Sequence, residues 1–374
     1  MAGSLVTFHL NTERGWRGGE QQMAYLMEGL RRRGHRVVAV AQRGGEAATR
    51  LAAQGFEVEP LTMHGEADPI AVARLAQRLR RTAPDVVHLH TSHAHTLGAL
   101  AARWAGRPPV IVSRRVDFSI YRHSFLGLSG FKYRHGLDRI VCVSEAVRHV
   151  LLRDGLDAAR LRVVRSAVDP ERVRGARRVD VRARLGLPPG CPLVLAVGAL
   201  VGHKGHRHLV DAVPSLAARV PGVRVVVAGE GPLRPELEAR AEALGVSSAF
   251  VLAGQVDDLP GWFHDVDVLA MPSTDEGLGT SVLDGMCVGL PVVASRAGGI
   301  PEMVRDGTEG LLVPAGDAEV LADALARVLG DADLRRRLGE AARRRVDDAF
   351  LVDRMVEETL AVYRECLAER TPSA

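Results

Sequence analysis

Residues 266–295 read VDVLAMPSTDEGLGTSVLDGMCVGLPVVAS. A short β-branched run opens this stretch and another closes it, and between them a Gly-rich turn leads into an apolar helical run. Repeated along the chain, that alternation predicts a parallel α/β architecture. The same stretch sets Glu276 and Asp284 on either side of the turn. Two carboxylates beside a flexible loop suit an acid/base pair, a metal clamp or a holder for a hydroxylated ligand.

Outward from this unit, strand-like runs fall into two series. PLVLAVG, VRVVVAG, AFVLAG, VDVLAM, PVVAS and GLLVP form the second; SLVTFHL, RVVAV, VVHLH, PVIVS and RIVCVS form the first. Helical patterns lie between them, such as residues 20–34, where Met23, Leu26, Met27 and Leu30 share a face and Gly34 ends the helix. The polar, Pro/Gly-rich stretch at 166–190 reads as an interdomain connection. The expected fold class is α/β, with two doubly wound domains facing across a ligand-binding cleft. They span 1–169 and 170–352, with the last helical segment, 353–374, crossing back to brace the first.

A chain of 374 residues is long for one core and comfortable for two domains. Its 47% hydrophobic and 25% charged residues are those of a globular protein, and no apolar run reaches membrane-spanning length. The first residues carry no basic leader, so no secretion signal is expected. Cys142, Cys191, Cys287 and Cys366 lie far apart and read as reduced core thiols of a cytosolic protein. Positive charge is concentrated in the first half, which suits a phosphorylated substrate or an anionic membrane surface, or reflects simple arginine richness. With 4% aromatics and no basic-aromatic motif, nucleic acid is not an expected partner.

Three Gly-rich turns follow strand candidates and precede helices: Gly18-Gly19, the stretch GALVGHKG ending in Lys204-Gly205, and Gly277-Leu278-Gly279-Thr280. Such turns let backbone N–H groups approach an anion at a helix N-terminus. Thr280 or Ser281 is the expected N-cap of the third helix. There is no G-x-x-x-x-G-K-[ST], and no G-x-G-x-x-G follows the first strand, which argues against P-loop enzymes and dinucleotide oxidoreductases.

The segment EGLGTSVLDGMCVGLPVVASRAGGIPEMV resembles the donor site of the retaining family 4 glycosyltransferases, whose two-Rossmann arrangement is called GT-B. DVVHLH, VCVSEAV, SAVD, VGALVGHKG, VVVAGEGPL and VLAGQVDDLP extend the resemblance over nearly the whole chain in the expected order. It implies transfer of a sugar from a UDP- or GDP-linked donor to a hydroxyl of a cell-envelope glycan or lipid-linked acceptor, with retention and without metal or other cofactor. Lys204 and the amides around Gly18, Gly19, Leu278, Gly279 and Thr280 would stabilise the departing diphosphate. By the same resemblance Glu276 would hold sugar hydroxyls and Asp284 the ribose, with Gly277 in the turn between them. Gln255 and Val256 would flank the base.

Three positions depart from that family's pattern. Asp284 replaces the usual Glu, and Ala199 the usual Arg that assists Lys204. Ser113, Arg114 and Arg115 stand where many members carry a His. His203, Arg207 and Arg114 are candidates for the missing cation. Rival readings are a catalytically weak nucleotide-sugar-binding subunit and a GT-B sugar-nucleotide epimerase. A two-carboxylate hydrolase is disfavoured, because Glu276 and Asp284 sit among donors and glycines.

The run HLHTSHAH contains His88, His90, His93 and His95, yet no carboxylate or Cys nearby completes a metal set. His90, at a strand end, is a candidate substrate contact; His88 and His95 read as structural or surface residues. Residues 119–139 mix aromatic, aliphatic and basic side chains and read as a cleft-rim helix or as a segment that touches an anionic membrane. The expected location is cytoplasmic, with a peripheral contact on the inner face of the membrane.

Overall fold

The computed structural model describes residues 3–122 and 128–370. The chain divides into two compact units: Met1–Ser166 with Val352–Ala374, and Ala167–Leu351. The division therefore falls at 166/167, a few residues before the sequence expectation, and residues 166–190 are no free linker. Most of them belong to unit 2, where Arg172 pairs with Asp284, and Arg174 donates to the Cys287 carbonyl at 2.8 Å and pairs with Asp347.

Unit 1 is built on β1 (Val6–Asn11), β2 (Arg36–Gln42), β3 (Glu57–Leu61), β4 (Val86–Leu89), β5 (Val110–Arg114), β6 (Arg139–Cys142) and β7 (Leu161–Val163). They form one parallel sheet in the order β3-β2-β1-β4-β5-β6-β7. The two strands that the sequence pattern does not reveal, β3 and β7, lie at the two edges. EVEPL is largely polar and carries Pro60, and LRV is three residues long. An edge strand pairs on one side only, so neither a continuous apolar run nor every N–H is required of it.

The helix Gly18–Arg32 buries Met23, Leu26, Met27 and Leu30 as its periodicity predicts, and Gly34 leaves it at φ 81°. Its Gly29 lets the last helix, Val352–Ala368, come close: a Cβ there would lie 2.3 Å from Val356 Cγ2. Arg33 closes the contact with Glu357 at 2.6 Å and Asp353 at 3.2 Å. Arg139 meets Glu365 and Glu369 further along. The crossing back of the C-terminal helix to the first unit thus rests on a glycine notch and two carboxylate–arginine clusters.

Unit 2 contains β8 (Leu193–Val197), β9 (Arg224–Ala228), β10 (Phe250–Gly254), β11 (Val268–Met271), β12 (Val292–Ser295) and β13 (Gly310–Val313), parallel in the order β10-β9-β8-β11-β12-β13. All six correspond to the apolar runs of the second series. Helices cover both faces of such a sheet, so its strands read as unbroken hydrophobic runs, and all but the edge strand β10 are largely buried. In each unit the strand order reverses once, between β1 and β4 and between β8 and β11. The crevice at the carboxyl ends of those strands is where doubly wound folds bind ligands.

The four cysteines are unpaired and buried. Burial raises the Cys142 thiol to about 12 and those of Cys287 and Cys366 to about 11, so these three are packing residues rather than nucleophiles.

Candidate active site

At the β8/β11 reversal of unit 2, two loops meet. Residues 198–205 follow β8 and residues 272–279 follow β11. Thr274 N donates to His203 O at 2.9 Å, and a Cβ on Gly205 would stand 1.9 Å from Pro272 O. Each loop ends on a left-handed glycine that caps a helix: Gly205 (φ 66°) before His206–Arg219 and Gly279 (φ 91°) before Thr280–Cys287. The expectation that Thr280 or Ser281 caps the latter helix is corrected. Neither helix has a side-chain cap; His208 N and Val282 N donate back to Gly205 O at 2.9 Å and Gly279 O at 3.0 Å, and the first two N–H groups of each helix are placed to meet an anion, which the helix field favours.

Lys204 sits between these helix starts, its stem against Gly198, where a Cβ would approach Lys204 Cδ to 3.4 Å. Its ammonium donates to Glu276 Oε2 at 2.5 Å, and Ser273 Oγ donates to the same oxygen at 3.2 Å. The two residues picked from the sequence are thus brought together as an ion pair. Both are largely shielded, with 20% and 11% of the side chain exposed. Gly277 and Leu278 are buried in the turn. Gln255 and Val256 follow β10 on the same carboxyl edge, Gln255 exposed and Val256 half-buried.

Asp284 stands in the second turn of the helix Thr280–Cys287, where Arg172 donates to both its oxygens, at 2.8 and 2.9 Å. Burial raises its carboxyl above the ordinary range, and the guanidinium opposes that shift. Glu276 and Asp284 therefore each have their own cation, and among the described residues neither belongs to a metal-capable cluster. Such separate pairing does not make the two carboxylates a couple. Arg172 was not anticipated, because its contact spans 112 residues. Arg207 is exposed in the first turn of its helix.

In unit 1 the β1/β4 reversal carries the start of the helix Gly18–Arg32, so Gly18 and Gly19 are its first two residues rather than the turn before it that the sequence suggests. Glu20 is buried and fixes it, accepting from Asn11 Nδ2 at 2.9 Å and from Arg17 N at 3.0 Å. Beside it, His9 of β1 joins His88 and His90 in a buried cluster whose ring nitrogens lie within 4.8 Å of one another. His9 was missed because strand adjacency, not sequence distance, brings it there. His9 contacts His90 Nε2 at 3.0 Å and Thr7 Oγ1 at 3.1 Å; His88 contacts Tyr363 Oη at 2.6 Å and Ser113 Oγ at 2.8 Å. A metal ion would have to displace those bonds. Of the six ring nitrogens of this cluster, His90 Nδ1 is the one without a partner among the described residues. His95 is buried and contacts the Lys132 carbonyl at 3.2 Å, a structural role.

Arg114, offered by the sequence for phosphate, is instead committed to the fold. Its terminal nitrogens donate to Tyr133 Oη at 3.0 Å and Phe118 O at 2.7 Å. In the 119–139 stretch, residues 123–127 lie outside the described residues; Phe131 is 66% exposed, while Lys132 pairs with Glu66.

Burial keeps these imidazoles neutral. His9 is lowered to about 3, His206 of unit 2 to about 4, and His88, His90 and His95 well below the ordinary value. An unfolded chain protonates them as pH falls through about 6.5, and the folded one does not. Stability is therefore full above that pH and declines below it, by about 1.4 kcal/mol per histidine for each pH unit. We expect the urea midpoint to fall between pH 7.5 and 5.5; a constant midpoint would show that the rings ionise inside the fold.

The geometry can be compared with known proteins. Residues 178–345 match the family Glycosyl transferases group 1, and residues 16–172 match Glycosyltransferase Family 4. The chain is 30% identical over 349 residues to the lipopolysaccharide core biosynthesis glycosyltransferase LpsE of Rhizobium meliloti, covering 89% of this chain and 94% of that protein. It is 32% identical to the 2-deoxystreptamine glucosyltransferase of Streptomyces kanamyceticus, covering 78% and 80%. In fold it is similar to Anabaena HepE, crystallised with UDP and glucose, at TM-score 0.85 and 21% identity over 96% of this chain and 100% of that one. Sucrose-phosphate synthase from Thermosynechococcus elongatus follows at 0.81 and 20%, over 98% and 100%. Two parallel Rossmann-like sheets, uncapped helix starts at both loops of the second, and these matches along the length together make the chain a glycosyltransferase of family 4 with the GT-B fold.

Proposed function

We propose that the protein is a metal-independent, retaining enzyme that moves a hexose from a UDP- or GDP-linked donor to a hydroxyl of a cell-envelope glycan or lipid-linked acceptor. One observation carries this reading: Lys204 stands between two helix N-termini that have no side-chain caps. In sugar transfer the difficulty is departure of the diphosphate while positive charge builds on the ring. An ammonium and two sets of preorganised amides offset that charge without a divalent ion. Glu276, released from Lys204 as the phosphates take the cation, would accept from sugar hydroxyls. Asp284, with Arg172 fixing its orientation, would face the ribose, and Gln255 and Val256 the base. A proton from the acceptor hydroxyl would pass to a donor phosphate oxygen, so no separate side-chain base is required.

The relatives support this reading: one bears the name of a lipopolysaccharide core enzyme, and HepE was crystallised with UDP and glucose. The basic first half, with Phe131 exposed, supports a location at the anionic inner face of the membrane, which co-sedimentation with anionic vesicles tests. Among the described residues no helix is long and apolar enough to cross a membrane.

The deciding experiment is a thermal-shift panel of UDP, GDP, ADP and dTDP, followed by sugar transfer with and without EDTA and assignment of the product anomer. Saturating nucleotide at 100 times its Kd raises stability by about 2.7 kcal/mol. We expect that rise with UDP or GDP, transfer insensitive to EDTA, and a retained anomer. Binding without transfer or hydrolysis would favour the second reading, a nucleotide-sugar-binding subunit, for which Ala199 in place of the usual arginine is the specific observation.

A further inference from the structure

The pair Arg172–Asp284 does not stand alone. From the short helix Pro170–Arg174, Arg172 Nη2 donates to both oxygens of Asp284 at 2.8 and 2.9 Å, and Arg174 Nε donates to the Cys287 carbonyl at 2.8 Å. Asp284 and Cys287 both belong to the helix Thr280–Cys287. Arg174 also pairs with Asp347 of the helix Ala332–Ala349, and His264 Nε2 donates to Val173 O at 3.0 Å. These neighbours fix the backbone that carries Arg172, so its guanidinium is held on the carboxylate.

Asp284 keeps 18% of its side chain exposed, so a ligand can still reach it. A carboxylate has about four acceptor positions and Arg172 occupies two of them, which leaves room for hydroxyl protons. Burial disfavours the charge and raises the carboxyl, as does Asp169 just before the helix Pro170–Arg174. Cys287 lies near it on its own helix, and Asp347 and Arg343 of the helix Ala332–Ala349 act on Cys287. Arg172 is the cation that favours the ionised form of Asp284. Because another helix supplies it, a substitution can remove that cation while the carboxylate stays in place.

We propose that Arg172 is a positioning residue of the donor site: it holds Asp284 ionised as a hydrogen-bond acceptor for the ribose hydroxyls, and so sets the acid limit of nucleotide affinity. This rests on the donor reading above, in which Asp284 faces the ribose. Protonation removes the charge and one acceptor position, so affinity is full above the value at which the folded protein's carboxyl titrates and declines as pH falls through it. With the guanidinium removed, burial acts unopposed and the same decline begins at higher pH.

The test measures Kd of the full chain for UDP and for 2′,3′-dideoxy-UDP between pH 5 and 8, with GDP and its dideoxy analogue as a second pair. Both members of a pair carry the same phosphates, so the ratio of their Kd values cancels phosphate titration and reports the ribose hydroxyls. We expect the wild type to favour the natural nucleotide about 10- to 100-fold at pH 8, the usual worth of a hydrogen bond to a charged group, and less at pH 5. Arg172→Met should move the midpoint of that loss up by about one pH unit or more, and Arg172→Lys should return it towards the wild-type value. Asp284→Asn should give a small ratio that does not change with pH. A purely structural role for Arg172 would weaken both nucleotides together and leave the midpoint unmoved, which overturns the proposal. Equal affinity of the two nucleotides in the wild type overturns it too, as does a pH dependence of the ratio that survives in Asp284→Asn. Should Arg172→Met not fold, the profiles of the wild type, Arg172→Lys and Asp284→Asn decide. A wild type that binds neither UDP nor GDP at any pH is the distinct result that removes the donor reading, and the proposal with it.

Discussion

Lys204→Ala is expected to lower sugar-transfer turnover by about two to three orders of magnitude, the usual loss when one preorganised donor is taken from a developing oxyanion. Lys204 precedes the helix start at Gly205 and pairs with Glu276 beside Gly279, and Ala199 supplies no second charge in its loop. The cost to stability should be much smaller. The variant leaves Glu276 without its cation, but Ser273 still donates to that carboxylate. A shielded charge that loses one such partner destabilises by about 1–3 kcal/mol. Turnover at saturating donor and the urea midpoint, measured on the same preparation, separate the two effects. Turnover equal to wild type would place the diphosphate elsewhere on the molecule.

Gly205→Ala is expected to be the most disruptive single-methyl change near the site. The residue is left-handed at φ 66°, which costs an L-residue about 1–2 kcal/mol. The added Cβ would also fall 1.9 Å from Pro272 O, a backbone atom that cannot rotate away. The loops after β8 and β11 must then separate, breaking the bond from Thr274 N to His203 O. Strain and overpacking together predict a loss of about 3–5 kcal/mol and of nucleotide-induced thermal stabilisation. Gly202→Ala, in the same loop with open space around it, is the control and should stay near wild type in both measurements. A Gly205→Ala protein with a native midpoint would show that the two loops are not locked together as described.

The second sheet was legible strand by strand because both its faces are covered. The edge strands β3 and β7 were not, since EVEPL and LRV carry no pattern that distinguishes them from loop. Residues 166–190 look like a linker by composition, yet Arg172 and Arg174 anchor them to the helix that holds Asp284 and Cys287.

The site divides the same way. Sequence alone determined the loops after β8 and β11, with Lys204, Glu276 and their glycines, because left-handed backbone and close loop contact require glycine at specific positions. Tertiary structure alone decided what those residues touch. Lys204 meets Glu276, Asp284 meets Arg172 across 112 positions, and His9 meets His90 across 81. It also sent two adjacent arginines to different places, Arg114 to Tyr133 and Phe118 and Arg115 to the backbone of Gly19. Backbone conformation is encoded locally by steric preference, whereas the partner of a charge is set by which strands the fold makes neighbours.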